Sequence, residues 1–389
     1  MFNFFKIALV MYSVGSFLPT IVHGQSDKAP IMGWSSWNNF RINIDENMIR
    51  EQADALISSG LYDAGYRYIN IDDGFFKGRD KAGNLLTDST KFPSGMKALA
   101  DYIHSKKLKA GIYTDAGKNT CGSIWDNDKN GLGVGIYGHI EQDCDLFFKQ
   151  WGYNFIKVDW CGGEKMGLDE RTEYLKILGA VKSINPDIVF NICRWKFPGT
   201  WAIDKADSWR ISGDISADFG SILAIIDLNV DLHKYASAGH YNDMDMLQVG
   251  RGMSYEEDKT HFSMWCMLNS PLLAGNDLRS MTKQIIGILT NKELIALNQD
   301  TGFHQAKRVF AEAGVEVWMK ELGNDGKSKA IAIMNRGKGE TKFTLKAGQF
   351  GLKANNKIRD LWEHKNRGKL KKETVFDIPE HGIIVLKIS

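Results

Sequence analysis

Short apolar segments alternate with amphipathic segments over most of the chain, from Pro30 to about Gln299, and this alternation strongly limits the folds available. Strands are predicted at 65–71, 108–113, 155–158, 188–192 and 208–211. Between them, the spacing of apolar residues is that of helices, as in 94–106, 140–151, 168–183 and 221–236. Strands that alternate with helices build a parallel sheet, because each helix returns the chain to the same edge of the sheet.

Polar and aromatic residues recur where the predicted strands end. They include Trp37, Asp72, Asp73, Tyr113, Asp115, Lys157, Asp159, Cys193, Arg210, Asp214, Asp243 and Met246. A closed barrel gathers its site from all its strand-to-helix loops, whereas an open doubly wound sheet concentrates function at one switch point and often carries a glycine-rich phosphate turn. No such turn follows any of these strands. We therefore predict an α/β fold, a (β/α)8 TIM barrel, over residues 25–300.

The pattern changes after about Thr301. Short strands without intervening helices are predicted at 315–319, 330–334, 342–345, 358–362, 374–378 and 383–388. This favours a C-terminal antiparallel β-sandwich domain over residues 301–389. The basic run 365–372 is expected to be a solvated loop.

The first 24 residues have the pattern of an export signal. Lys6 precedes an apolar stretch that Gly15 and Pro19 interrupt, which disfavours a membrane-spanning helix. We expect a mature chain that begins near Gln25, has no membrane anchor, and is secreted or periplasmic. Five cysteines then remain, so at least one thiol is free, and Cys144 and Cys266 are expected to be buried free thiols.

The charge balance excludes some classes of partner. A net charge of +2 with 25% charged residues gives no basic surplus for nucleic acid or for a membrane surface. The nine histidines lack the spacing of a zinc site, and no histidine is near Asp72 and Asp73. We expect neither a cofactor nor a metal ion.

Two aspartates occupy contrasting local settings. Asp159 ends the apolar run 155–158 with Lys157 on the same strand face, and Asp214 follows the run 209–213, which contains Arg210. One carboxylate kept ionised and another that delivers a proton are the groups that glycoside hydrolysis needs. Lys157 should favour the ionised form of Asp159. We expect Arg210 to lie apart from Asp214 and to bind a sugar hydroxyl. The alternative interpretation of a lone aspartate after a strand is a helix N-cap.

Six motifs, in chain order, are similar to those of the melibiase family, the α-galactosidase and α-N-acetylgalactosaminidase group of retaining glycosidases. They are MGWSSW at 32–37, IDDG at 71–74, GIYTD with Thr120-Cys121 at 111–121, KVDWC at 157–161, WRISGD at 209–214 and DMDML at 243–247. The resemblance runs from about Lys28 to the C-terminus.

The resemblance implies a division of labour between the two aspartates. Asp159 would be the nucleophile that forms a covalent glycosyl-enzyme. Asp214 would protonate the leaving oxygen and then deprotonate the incoming water. In retaining enzymes such carboxyl groups lie about 5–5.5 Å apart.

The resemblance also implies a sugar pocket. Asp72 and Asp73 would accept hydrogen bonds from outer hydroxyls, and Trp37 would form an apolar wall. The remaining substrate-binding residues would be Tyr113, Cys121, Lys157, Cys161, Cys193, Trp195, Arg210 and Met246. Cys121 and Cys161 would form a disulfide beside the nucleophile.

One position departs from the family pattern, because Arg194 stands where α-galactosidases usually carry glutamate. The main hypothesis is an exo-α-galactosidase that acts on α-galactoside oligosaccharides or on polysaccharide side chains. Asp73, shorter than glutamate, favours a hexose over L-arabinose, and Phe197 weighs against N-acetylgalactosamine. β-L-arabinopyranosidase, α-N-acetylgalactosaminidase, α-glucan hydrolase and non-catalytic carbohydrate-binding protein stay open as alternatives, and so does a homo-oligomer.

Overall fold

The computed structural model describes residues 28–389, and the first part of it is a parallel sheet. The strands up to residue 300 are β1 Met32–Ser35, β2 Tyr68–Asn70, β3 Phe76–Arg79, β4 Leu85–Thr87, β5 Lys109–Asp115, β6 Phe155–Asp159, β7 Val189–Ile192, β8 Ser208–Arg210, β9 Tyr241–Asp243 and β10 Leu272–Ala274. Eight of them form one sheet in the order β10-β1-β2-β5-β6-β7-β8-β9, and all neighbours are parallel. The remaining two, β3 and β4, make a small hairpin after β2.

The sheet closes on itself next to β9. The Leu247 amide donates to the Leu273 carbonyl at 2.7 Å, and the Gly275 amide donates to the Leu247 carbonyl at 2.9 Å. These bonds make a parallel bridge between Leu247 and Ala274, on the strand β10 at the other end of the order. The predicted (β/α)8 barrel is confirmed.

Helices occupy the connections between these strands. They are α1 Trp37–Phe40, α2 Glu46–Ser58, α3 Leu61–Ala64, α4 Gly95–Ser105, α5 Cys121–Trp125, α6 Ile140–Cys144, α7 Cys161–Lys165, α8 Glu170–Ile184, α9 Phe219–Asn229, α10 Tyr255–Met267, α11 Lys283–Leu289 and α12 Lys292–Asn298. Side-chain hydrogen bonds cap the first turns of several of these helices. Asp45 accepts from the Met48 amide at 2.9 Å at the start of α2, and Ser254 forms a capping box with Glu257 at the start of α10. After α6 the chain makes a π-helical segment, Asp145–Gln150.

The C-terminal part is antiparallel. Its strands are β11 Lys307–Glu312, β12 Val315–Leu322, β13 Ser328–Asn335, β14 Thr341–Lys346, β15 Lys357–Asp360, β16 Lys365–Lys369, β17 Glu373–Ile378 and β18 Ile383–Ile388. Six form a sheet in the order β11-β12-β13-β18-β15-β16, and β14 pairs with β17. Apolar side chains from both, including Ile331, Leu345 and Leu386, share one buried cluster. The predicted β-sandwich is confirmed.

The expectation of a loop at 365–372 is wrong for its first part, because 365–369 is the strand β16, paired with β15. Every residue of β16 is exposed. Lysine and arginine on an edge strand hinder pairing with another chain. The basic residues therefore belong to an edge strand here. Because this strand has no apolar residues, it lacks the alternation of apolar and polar residues by which a strand is predicted.

The two parts share an apolar core. Trp318, Met334 and Val385 of the C-terminal sheet belong to the same buried cluster as the barrel interior. On α10, the Thr260 hydroxyl donates to the His381 carbonyl at 2.6 Å. The sandwich therefore packs against the outside of the barrel through α10.

Between residues 28 and 389, no helix is both long enough and apolar enough to cross a membrane. The expected export signal, residues 1–24, lies outside the described residues.

Candidate active site

The two candidate catalytic aspartates border one cavity at the carboxyl ends of the barrel strands. Asp159 is the last residue of β6, and Asp214 lies in the loop after β8. The cavity has a volume of about 150 Å³ and is lined by Trp37, Arg41, Cys121, Trp125, Lys157, Asp159, Trp195 and Asp214. In parallel sheets of this kind, that edge holds the functional groups.

Asp159 is buried, with 4% of its surface exposed, and its Oδ1 has no hydrogen-bond partner within residues 28–389. Burial raises its pKa, and the Lys157 ammonium, 3.8 Å from its Oδ2, only partly offsets this. The resulting pKa is about 6. Lys157 therefore favours the ionised form of Asp159, as expected, but burial, which the sequence did not indicate, outweighs its attraction and leaves the pKa above its ordinary value.

Lys157 connects two acids. Its Nζ donates to Asp72 Oδ2 at 2.9 Å and lies 5.4 Å from the centre of the Tyr113 ring and 5.9 Å from that of Trp37. Burial lowers the pKa of Lys157, but the charges of Asp159 and Asp72 raise it further, so it stays well above its usual value. The predicted residues Trp37, Tyr113, Lys157 and Asp72 thus meet in one place.

Asp214 is the more accessible acid, with 57% of its side chain exposed. Arg210 Nη2 lies 2.5 Å from Asp214 Oδ1 and 2.5 Å from Asp245 Oδ2. Burial pushes the pKa of Asp214 upward, but the charges of Arg210 and Lys157 outweigh it and leave that pKa below its ordinary value.

The expectation that Arg210 lies apart from Asp214 is wrong. The chain turns back after β8, which returns Asp214 to the guanidinium that ends that strand. Arg210 Nη1 also donates to the Cys193 sulfur at 3.5 Å. The Cys193 thiol in turn hydrogen-bonds Asp159 and acts to lower its pKa.

Asp73 is fully buried, and backbone amides already occupy both its oxygens. Gly74 donates to Oδ1 at 2.8 Å, and Gly122 donates to Oδ2 at 2.7 Å. Burial raises the pKa of Asp73 to about 7. A Cβ at Gly122 would come within 2.7 Å of Asp73 Oδ2. Asp73 thus fixes the start of α5, and it lines neither the cavity of Asp159 and Asp214 nor the smaller one beside Asp72.

The predicted disulfide between Cys121 and Cys161 is present, and it joins α5 to α7. Cys144, Cys193 and Cys266 are free and buried. A carboxylate oxygen of Asp115 lies within 4.8 Å of the two bridged sulfurs, but disulfide sulfurs are not thiolates and do not ligate a metal ion as such. Burial raises the pKa of Asp115 to about 8, and its Oδ1 accepts from the Gly117 and Gly162 amides.

Arg194, which departs from the family pattern, has its charge balanced by another residue of this chain. Its Nη1 forms an ion pair with Glu170 Oε2 at the start of α8. The neighbouring Trp195 lines the cavity with a left-handed backbone, φ 61°. Phe197 stacks on Tyr235 with ring centres 5.0 Å apart. The positive charge of Arg194 is therefore neutralised beside the cavity.

Met246 and Arg210 border a smaller cavity of about 20 Å³ that Lys157 and Asp72 share. Two lining residues of the larger cavity, Arg41 and Trp125, were not predicted. Arg41 is in a loop and carries no motif, so nothing in the sequence indicated it. Trp125 ends the short helix that begins at Cys121, and that spacing was an available signal.

Comparison with known proteins identifies the family of this chain. Residues 29–300 match the family model described as alpha galactosidase A, and residues 312–388 match the alpha galactosidase C-terminal beta sandwich domain. Alpha-galactosidase A of Cellvibrio japonicus is 40% identical over 94% of this chain and 93% of its own. Alpha-galactosidase 2 of Arabidopsis thaliana is 44% identical over 91% of this chain and 88% of its own.

A solved structure shares the whole architecture. Alpha-galactosidase I from Mortierella vinacea superposes with a TM-score of 0.86 at 32% identity, covering 94% of this chain and 98% of that one. The sequence motifs, the barrel with its sandwich domain and these matches lead to one conclusion: the chain belongs to the melibiase family, the α-galactosidase family of glycoside hydrolases.

Proposed function

We propose that the chain is an exported, retaining exo-α-galactosidase that removes terminal α-D-galactosyl residues from oligosaccharides or polysaccharide side chains. The observation that carries this is the pairing of a buried carboxylate, which has an unpartnered oxygen, with a half-exposed carboxylate at the same cavity. The choice of galactose as the sugar is supported by the relatives, which are alpha-galactosidases.

In the first step, Asp159 attacks the anomeric carbon, and the bond from that carbon to the leaving oxygen breaks. Asp214 gives its proton to that oxygen, and the galactosyl group is left as an ester on Asp159. In the second step, Asp214 removes a proton from water, which attacks the anomeric carbon and frees Asp159. Two displacements at one carbon retain its configuration.

The charges around Asp214 support both of its roles. Without substrate, Arg210 holds its pKa low. A galactoside that covers its exposed side chain removes solvent and raises its pKa, which favours the acid form. Ester formation then cancels the charge of Asp159, which had opposed ionisation of Asp214, so that Asp214 becomes a base for water.

Asp72 and Lys157 are the groups best placed to bind sugar hydroxyls, since they already form a hydrogen bond beside Asp159. A hydroxyl that inserts there both donates to the carboxylate and accepts from the ammonium. A sugar that lacks the hydroxyl gains neither of these hydrogen bonds and leaves the Lys157–Asp72 pair as it is, so it should bind less tightly.

Release of p-nitrophenol from the α-galactoside, the β-L-arabinopyranoside and the α-N-acetylgalactosaminide tests the sugar. We expect fast turnover of the α-galactoside and its loss in Asp159→Asn. NMR of the first-formed sugar should show α-galactose. Equal turnover by Asp159→Asn, or β-galactose as first product, would overturn the assignment.

Export rests on residues 1–24 and has its own test. The full chain should be processed to begin near Gln25 when expressed in its host, as N-terminal sequencing of the exported protein would show. Retention of the whole leader inside the cell would contradict export without affecting the proposed chemistry.

A further inference from the structure

The cavity that holds the two aspartates is graded from a buried floor to an exposed rim. Asp159 is 4% exposed, whereas 57% of the Asp214 side chain and 69% of Trp125 are exposed. If Asp159 attacks the anomeric carbon, the galactose lies towards the floor. The leaving group then lies past Asp214, towards the rim.

Trp125 is the aromatic residue at this rim. It lines the cavity, yet within residues 28–389 its ring has no aromatic or cation–π partner and its indole N–H makes no hydrogen bond. Indole is a large flat surface that binds apolar faces at low entropic cost. A pyranose ring offers such a face in its axial C–H groups.

The backbone around Trp125 is firmly held. Cys121, at the start of the same helix, is bridged to Cys161, and the next amide, of Gly122, donates to Asp73. The following residue, Asp126, forms two hydrogen bonds to Arg41, at 2.5 and 2.7 Å, and Arg41 lies 4.6 Å from the centre of the Trp37 ring. The backbone that carries Trp125 is therefore fixed relative to the cavity wall before any ligand arrives.

We infer that Trp125 is the stacking platform for the sugar that carries the terminal galactose, and so determines selectivity for saccharides over galactosides with small leaving groups. This rests on the proposed function, since it assigns the leaving-group side of that cavity. The residue acts through binding of the leaving sugar and takes no part in bond breaking.

The test compares two substrates of Trp125→Ala and of wild type. Raffinose has a second pyranose next to its galactose, whereas α-galactosyl fluoride has a leaving group too small to reach the rim. The ratio of kcat/KM for raffinose to kcat/KM for the fluoride should fall about tenfold, which matches the energy of one aromatic contact. Trp125→Tyr should restore most of the ratio.

Tyr255→Ala is the matched control, because Tyr255 is also an exposed aromatic, at 43%, but does not border the cavity. An unchanged ratio in Trp125→Ala, or an equal fall in Tyr255→Ala, would overturn the inference. Failure of the proposed function looks different: wild type would then leave the fluoride intact as well.

Discussion

At the scale of single residues, the two acids of the site differ most in their access to solvent. Burial raises the pKa of Asp159, and the Arg210 charge lowers that of Asp214, so the free protein favours a proton on Asp159. The proposed mechanism requires the opposite arrangement, with Asp159 ionised and Asp214 protonated. The pH at which Asp159 loses its proton therefore limits activity on the acid side.

The acid limb of kcat/KM should accordingly fall with an apparent pKa near 6, which is the value for Asp159 in the free protein. Lys157→Met removes the cation that lowers this pKa, so the limb should move to higher pH, by about one unit. Initial rates on the p-nitrophenyl α-galactoside between pH 4 and 8 measure it. A limb that stays in place would remove Lys157 from this role.

The same burial has a consequence for stability. Because the pKa of Asp159 is raised in the folded state, its contribution to stability is lost as the pH rises through about 6. Asp159→Asn should therefore gain in Tm over wild type as the pH rises from 4 to 7, by about 2 °C or more. Scanning calorimetry at several pH values measures the gap. A gap that does not change with pH would contradict the assignment.

At the scale of elements, the short helix α5 is where the disulfide, Asp73 and the cavity rim meet. The motifs around Asp72, Tyr113 and Asp159 could be predicted because they follow strands, whose ends must converge. The contact between Arg210 and Asp214 could not, because it depends on how a loop turns back. The position of Arg41 at the cavity could not be predicted for the same reason.

Gly122→Ala should disturb this element. The added Cβ would come within 2.7 Å of Asp73 Oδ2, so the variant should lose about 1–3 kcal/mol of unfolding free energy and much of its activity. Gly179→Ala, in the helix α8 with open space around it, is the matched control and should gain about 0.5–1 kcal/mol. Urea denaturation measures both. Equal stability of the two variants would show that the space at Gly122 is not needed.

The disulfide is expected to stabilise the same region. It closes a separation of 40 residues, and loop entropy predicts a loss of about 4 kcal/mol when both Cys121 and Cys161 are changed to serine. Wild type treated with dithiothreitol should lose a similar amount, whereas the double variant should not respond. Calorimetry of wild type and of the double variant, each with and without reductant, measures these losses. A loss of stability of the double variant on reduction would show that dithiothreitol acts on something other than this disulfide.

At the scale of the whole molecule, the barrel and the sandwich form one packed body, with Lys320 buried between them. Its Nζ donates to the Leu297 carbonyl at 2.5 Å, and burial lowers its pKa to about 7. The two-part architecture followed from the change of pattern after Thr301. This buried cation did not, because an isolated lysine in a strand is normally assigned to a solvated face.

Lys320 gives the whole molecule a pH dependence. Between pH 7 and 10 the unfolded chain binds a proton on this lysine that the folded chain does not, so stability rises with pH. Lys320→Met should flatten that rise, whatever its effect on stability at a single pH. Urea midpoints across this range measure the slope, and an unchanged slope would mean that the ammonium is solvated.

If the chain acts as proposed, the gradation of the site from the buried Asp159 to the half-exposed Asp214 also limits how it would degrade a branched polymer. A cavity whose innermost acid is buried would accept only the tip of a branch, so a galactose-decorated polysaccharide would be trimmed one unit at a time. Its main chain would keep its length. Such a solution should release monosaccharide steadily while its viscosity hardly falls.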